Sequence, residues 1–120
     1  MSLRVGVLMG GASEEREVSI ATGKAVIKAC AENGYTATDF VFNTNYRKYL
    51  KELKKQNIIF NALHGGIGEN GKIQEWLDEN DIKYTGSGAI ASSLCMDKAA
   101  SKKIAKRNGI ETPDWQLIQR

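Results

Sequence analysis

The chain has 120 residues, 42% of them hydrophobic, and a formal net charge of +3. That length fits one domain with a core of its own. The charge is small and spread along helical faces, unlike the dense basic stripe of a nucleic-acid surface. No apolar run approaches the ~20 residues of a membrane helix, and the N-terminus runs directly into a strand without a signal-peptide layout. Cys30 and Cys95 form no CxxC pair; each lies in an apolar helical pattern and is expected as a buried free thiol. Such cysteines fit a reducing compartment, so a cytoplasmic protein is expected.

Residues 4–9 are short, continuous and apolar, which predicts a buried strand. Gly10 and Gly11 turn the chain, and Ser13 is the predicted N-cap of a long helix that stops at Asn33-Gly34. The predicted apolar face of that helix is Val18, Ala21, Ala25, Val26, Ala29 and Cys30, with Thr22 on the same side. Residues 35–42 read as a second strand. A short helix from Tyr46 to Lys55 places Tyr46, Tyr49, Leu50 and Leu53 on one side. Asn57 to Leu63 is a third buried strand, and Asn70 to Glu79 a helix that uses Ile73, Trp76 and Leu77. Ile82 to Thr85 is a short fourth strand, and Gly86-Ser87-Gly88 leads into a helical stretch through Leu94 and Met96. Asp97 is the predicted cap of a last helix ending at Asn108-Gly109. Pro113 then opens a closing extended segment, Trp115 to Ile118.

Strands alternate with helices along the whole chain. The pattern predicts an α/β fold, a Rossmann-like and mostly parallel sheet with helices on both faces. Ligands of such sheets sit at the carboxyl ends of the strands. Three glycine-rich loops fall there, Gly10–Ser13, His64–Gly71 and Gly86–Gly88, and they are expected to converge on one edge.

The first of these loops is followed by Glu14, Glu15 and Glu17. A bare helix N-terminus favours phosphate, but these carboxylates would repel it. A carboxylate held there suits a cation such as the ammonium of an amino acid. Its competing role is helix-dipole stabilisation, worth ~0.3–1 kcal/mol. His64, the single histidine, ends the third strand and is suited to donate a hydrogen bond to a substrate carboxylate. No second histidine or cysteine cluster supports a metal site. Glu69 lies in the glycine loop after His64, which fails the Walker pattern because Gly71-Lys72 is followed by Ile73. Gly10-Gly11 likewise fails the dinucleotide fingerprint. Lys98 stands at a helix N-terminus, where a cation is unfavourable to the dipole, and this hints at a phosphate partner.

Several ordered stretches resemble one family. They are Val7-Leu8-Met9-Gly10-Gly11 with Ser13, Glu15-Arg16-Glu17-Val18-Ser19, Asn61-Ala62-Leu63-His64-Gly65, Gly68-Glu69-Asn70-Gly71, Tyr84-Thr85-Gly86-Ser87-Gly88 and Ser93-Leu94-Cys95-Met96-Asp97-Lys98. The resemblance they carry extends over essentially the whole chain, which resembles the N-terminal, substrate-side domain of D-alanine–D-alanine ligases, ATP-grasp enzymes of bacterial cell-wall synthesis. Gly66, where the family often has a larger or basic residue, and Asn70, where it commonly has aspartate, depart from the pattern.

The resemblance implies that residues 1–120 form a pre-ATP-grasp domain, with the central and ATP-grasp domains absent from this chain. It implies a catalytic and substrate-binding role for Glu15 at the ammonium of the first D-alanine, with Val18 and His64 at the same subsite. It places Lys98 near the ATP phosphates, and Glu69 as an ordering residue of its loop. ATP and Mg2+ or Mn2+ would serve the complete enzyme, a homodimer, with all metal ligands outside this chain. A fragment of this extent is expected to be inactive alone. Two other readings stand beside it: a free-standing amino-acid-binding or dimerisation module, and the equivalent domain of another ATP-grasp enzyme such as a carboxylase.

Overall fold

A computed structural model describes residues 2–118. Strand β1 (Arg4–Gly10) is followed by helix α1 (Arg16–Glu32) and strand β2 (Thr36–Phe42). A 3-10 turn at Tyr46–Tyr49 runs into the single turn of α2 (Leu50–Leu53), and strand β3 (Ile58–Asn61) follows. A second 3-10 turn, Gly66–Gly68, precedes α3 (Lys72–Glu79), α4 (Ala89–Met96) and α5 (Lys98–Arg107).

The three strands are parallel in the order β2-β1-β3. Alternation along β1 separates two cores. Val5, Val7 and Met9 face α1, where Ile20, Val26, Ile27 and Cys30 meet them. Leu8 faces the other side, among Leu53, Ile73, Trp76 and Leu77. Helices therefore cover both faces, as the alternating pattern predicts. The α2 turn is too short to be held by propensity. Burial of Leu53, a T-shaped contact between Tyr49 and Phe40, and a hydrogen bond from the Tyr49 hydroxyl to Val41 O at 3.1 Å hold it instead.

The buried face of α1 differs from the predicted one. Val18 is 54% exposed, Ala21, Ala25 and Ala29 are exposed, and the fully buried positions are Ser19, Gly23 and Cys30. Close approach to β1 decides this. A Cβ on Gly23 would stand 2.6 Å from Met9 Cε and 2.8 Å from Met9 Cβ. The line of contact admits a glycine and a serine, and the alanines turn outward.

Ser19 also settles a gap in the sheet. Pairing of β1 with β3 ends at Leu8 and Asn61, and Ala62 N still donates to Leu8 O at 3.0 Å. The next rung of a parallel ladder would join Gly10 N to Ala62 O. The Ser19 hydroxyl stands in that rung, accepting from Gly10 N at 2.9 Å and donating to Ala62 O at 2.7 Å. Both main-chain groups are thereby satisfied where the strands part.

Other expectations need correction at element ends. The fourth strand is reduced to one bridge, Ile59 with Tyr84, because Ile82–Thr85 reaches the sheet at a single pair. Strand β3 is shorter than predicted. Ser13 is not the N-cap, since α1 begins three residues later with Glu15 in that position. Asp97 does cap α5, accepting from Ala100 N at 3.1 Å. Trp115–Ile118 joins no strand among the described residues.

Neither α4 nor α5 contains a buried residue, and Ile90, Met96, Ile104 and Ile110 are exposed. Cys95 is exposed with them, contrary to expectation, while Cys30 is buried as predicted. The radius of gyration is 16.6 Å, against about 14 Å for a compact domain of this length. The two cores end with Ile82 and Tyr84, just after α3, and the last two helices extend beyond them.

Two outcomes follow for stability. Gly23→Val should lower the urea midpoint without changing the slope, at a cost of about 1–3 kcal/mol for overpacking against Met9. Ser19→Ala should cost about 1–3 kcal/mol by leaving Gly10 N–H and Ala62 C=O unpaired in a buried place. A midpoint equal to that of the parent chain in either variant would remove the packing or the bridging role.

Candidate functional site

The strand order reverses at β1. The chain leaves β1 for β2 on one side and returns from β2 to β3 on the other. Such a switch point opens a crevice beyond the carboxyl ends of the central strands. Here it lies between the loop after β1 and the loop after β3.

Main-chain clamps shape the first loop. Gly10 and Gly11 have φ of +97° and +81°, values that glycine adopts without cost. Gly11 N donates to Phe42 O at 2.9 Å, and Arg16 Nη1 donates both to Gly11 O at 2.9 Å and to Phe42 O. The Arg16 guanidinium thus fastens the start of α1 to the end of β2. Sequence reading gave Arg16 only as part of a motif; nothing in the spacing shows that it folds back on its own loop.

Ser13 joins the two loops that border the crevice. Its hydroxyl donates to His64 O at 2.6 Å and accepts from Glu15 N at 3.1 Å. The Glu15 carboxylate lies close to the second loop, because a Cβ on Gly65 would stand 2.8 Å from Glu15 Oε2 and 3.2 Å from Ser13 Oγ. With φ of +70°, Gly65 is held to glycine both by conformation and by this approach. The His64 ring reaches α1, where Nε2 lies 3.1 Å from Thr22 Oγ1. Val18 is exposed on the same helix, one turn after Glu15. The N–H groups of Glu17 and Val18 find no acceptor among the described residues. Glu15, Val18 and His64 are therefore brought to one place, at the first turns of α1 and the carboxyl end of β3.

A cleft of about 470 Å³ opens beside His64, lined by Gly10–Ser13, Asn43, Thr44, Tyr46, Arg47, Leu63–Gly68 and Lys72; Glu15 and Val18 do not line it. The first two glycine loops converge there as expected. Gly86–Gly88 does not line this cleft; Gly86 and Ser87 meet the second loop at Gly68 and Glu69, in an adjoining hollow. Glu69 is exposed. Lys98 is exposed at the start of α5 and does not line the cleft that His64 lines. Among the described residues no group of three His, Cys, Asp or Glu side chains is placed to hold a metal ion. Among the described residues no helix is long and apolar enough to cross a membrane.

No family model matches the chain. A D-alanine–D-alanine ligase of Pelotomaculum thermopropionicum is 48% identical over 120 residues, 100% of this chain and 37% of that protein. A D-alanine–D-alanine ligase of Aquifex aeolicus is 47% identical over 116 residues, 97% of this chain and 40% of the relative. The chain thus spans about two fifths of the length of these curated relatives. Among solved structures, D-alanine–D-alanine ligase from Bacillus anthracis in complex with ATP superposes with a TM-score of 0.87 at 41% identity, over 96% of this chain and 39% of that one. A D-Ala:D-Ser ligase from Enterococcus faecalis shares the fold at 23% identity and a TM-score of 0.79. From one end to the other, in sequence and in fold, this chain is related to the N-terminal part of the D-alanine–D-alanine ligases.

Proposed function

We propose that the chain is the substrate-side domain of a D-alanine–D-alanine ligase, which joins two D-alanines for peptidoglycan synthesis. ATP would phosphorylate the carboxylate of the first D-alanine, and the amine of the second would attack the acyl phosphate, releasing ADP and phosphate. The observation that carries this reading is the meeting of Glu15, Val18 and His64 at the switch point, in a chain 48% identical to such a ligase.

In this reading Glu15 receives the ammonium of the first D-alanine. A carboxylate there offers an ammonium an opposite charge and two acceptor oxygens for charge-assisted hydrogen bonds. Val18 offers an apolar wall beside it, suited to a methyl group. His64 presents a ring nitrogen to the carboxylate end. Lys98, exposed at the start of α5, is free to meet ATP phosphates brought by residues outside this chain. In this reading the ligands of Mg2+ or Mn2+ would belong to the central and ATP-grasp domains of the complete enzyme. The complete enzyme is proposed as a cytoplasmic homodimer.

The test is ADP release by the chain joined to the remaining ligase sequence, with ATP, Mg2+ and either D-alanine or L-alanine. Release that depends on D-alanine is expected. No release from a folded product would shift the assignment to another ATP-grasp chemistry. Glu15→Gln should lower kcat/KM for D-alanine by about 10- to 100-fold, the worth of one charge-assisted hydrogen bond, with unchanged thermal unfolding. An unaffected rate would leave Glu15 with its helix-dipole role. Residues 1–120 alone should show no turnover, and measurable turnover would contradict the division of labour proposed here.

A further inference from the structure

We infer that Thr22 is a positioning residue that sets the tautomer of His64, so that Nδ1–H is the donor available to a ligand carboxylate. The inference rests on the substrate reading above. His64 is held at two points. Its carbonyl accepts from the Ser13 hydroxyl at 2.6 Å, and that same hydroxyl accepts from Glu15 N, which fixes the backbone of His64 relative to the first turn of α1. Its ring is held separately, by Thr22 Oγ1 at 3.1 Å from Nε2. Among the described residues Nδ1 has no hydrogen-bond partner, and His64 lines the cleft.

Which nitrogen carries the proton depends on the bond that the other one makes. A threonine within a helix often gives its proton to the carbonyl four residues back. Thr22 makes no such bond to Val18 O among the described residues; His64 Nε2 is its partner. The hydroxyl proton is therefore available, and the neutral ring can accept it through the Nε2 lone pair. The single ring proton then resides on Nδ1. A neutral histidine of this form donates to a carboxylate without adding a cation beside the ammonium that Glu15 receives. The opposite tautomer would turn a lone pair toward the carboxylate and repel it.

Because His64 is the only histidine in the chain, its ring nitrogens can be read individually by 15N NMR above the titration range of histidine. The unmodified chain should show a protonated Nδ1 and a bare Nε2. Thr22→Val, nearly the same shape, should shift the ring toward a mixture of tautomers, and Thr22→Ser should restore the parent spectrum. In the ligase extended past this chain, Thr22→Val should raise KM for D-alanine about tenfold with kcat and KM for ATP little changed, and Thr22→Ser should stay within about twofold. A protonated Nε2 in the unmodified chain overturns the inference, whether or not any variant folds. So does a Thr22→Val ring identical to the parent, or a Thr22→Ser variant as impaired as Thr22→Val. Absence of D-alanine-dependent ADP release would sink the substrate reading while leaving the tautomer measurement to stand alone.

Discussion

Everything at the candidate site depends on one missing rung of the sheet. Beyond Leu8 and Asn61 the two central strands separate, and Gly10 N–H and Ala62 C=O would be left buried without each other. Two unsatisfied main-chain groups in the interior would cost several times what a surface contact contributes. The Ser19 hydroxyl satisfies both, because it can donate and accept at once. An alanine or a valine on α1 could close the core, but it could not let the strands part. The crevice, the glycine turns on either side of it, and the approach of α1 all follow from that substitution of a side chain for a ladder bond.

The two loops are then fixed by different kinds of bond. Arg16 works on the main chain of its own loop and of β2, through Gly11 O and Phe42 O. Ser13 works between loops, through His64 O and Glu15 N. A charge-assisted donor to two carbonyls and a hydroxyl bridging two backbones leave little freedom to the residues between them. The side chains of Glu15 and His64 thus project from backbone already tied down before any ligand arrives. That is the condition under which a short polar contact discriminates between ligands.

Much of this was legible in the sequence, and the failures share a cause. Alternating strands and helices imply the parallel sheet, and helical periodicity alone places Leu53, Ile73, Trp76 and Leu77 on packed faces. The face of α1 was misread because hydrophobicity ranks Val18 and Ala25 above Ser19 and Gly23. At a line of close approach, size decides, and the Met9 side chain admits only the small residues. The Ile82–Thr85 strand was overestimated because β-branched and aromatic residues mark an extended segment, while a strand also requires several rungs with its neighbour. Cys95 was expected inside because its neighbours are apolar; α4 lies outside both cores, a tertiary fact that no local pattern contains. At the candidate site, Glu15 and His64 are singled out by residue type and position. Arg16 and Ser13 act through backbone atoms in distant loops, and Thr22 through a partner 42 positions away.

The exposure of the site sets the limit on what it does by itself. Glu15 and Val18 are open to solvent. In water a carboxylate and an ammonium 4 Å apart gain only about 1 kcal/mol, and measured exposed pairs are often weaker. The same pair sheltered from solvent is several times stronger. In the ligase reading, Glu15 therefore needs a second wall that excludes water before its charge can select an ammonium, and residues 2–118 supply only one wall. The relatives are more than twice as long as this chain, and α4 and α5 present apolar residues away from both cores. Closing the crevice with residues from outside this chain would raise the worth of Glu15 and His64 without moving either of them. Binding strength in this arrangement comes from the cover, and orientation comes from the loops already locked beneath it.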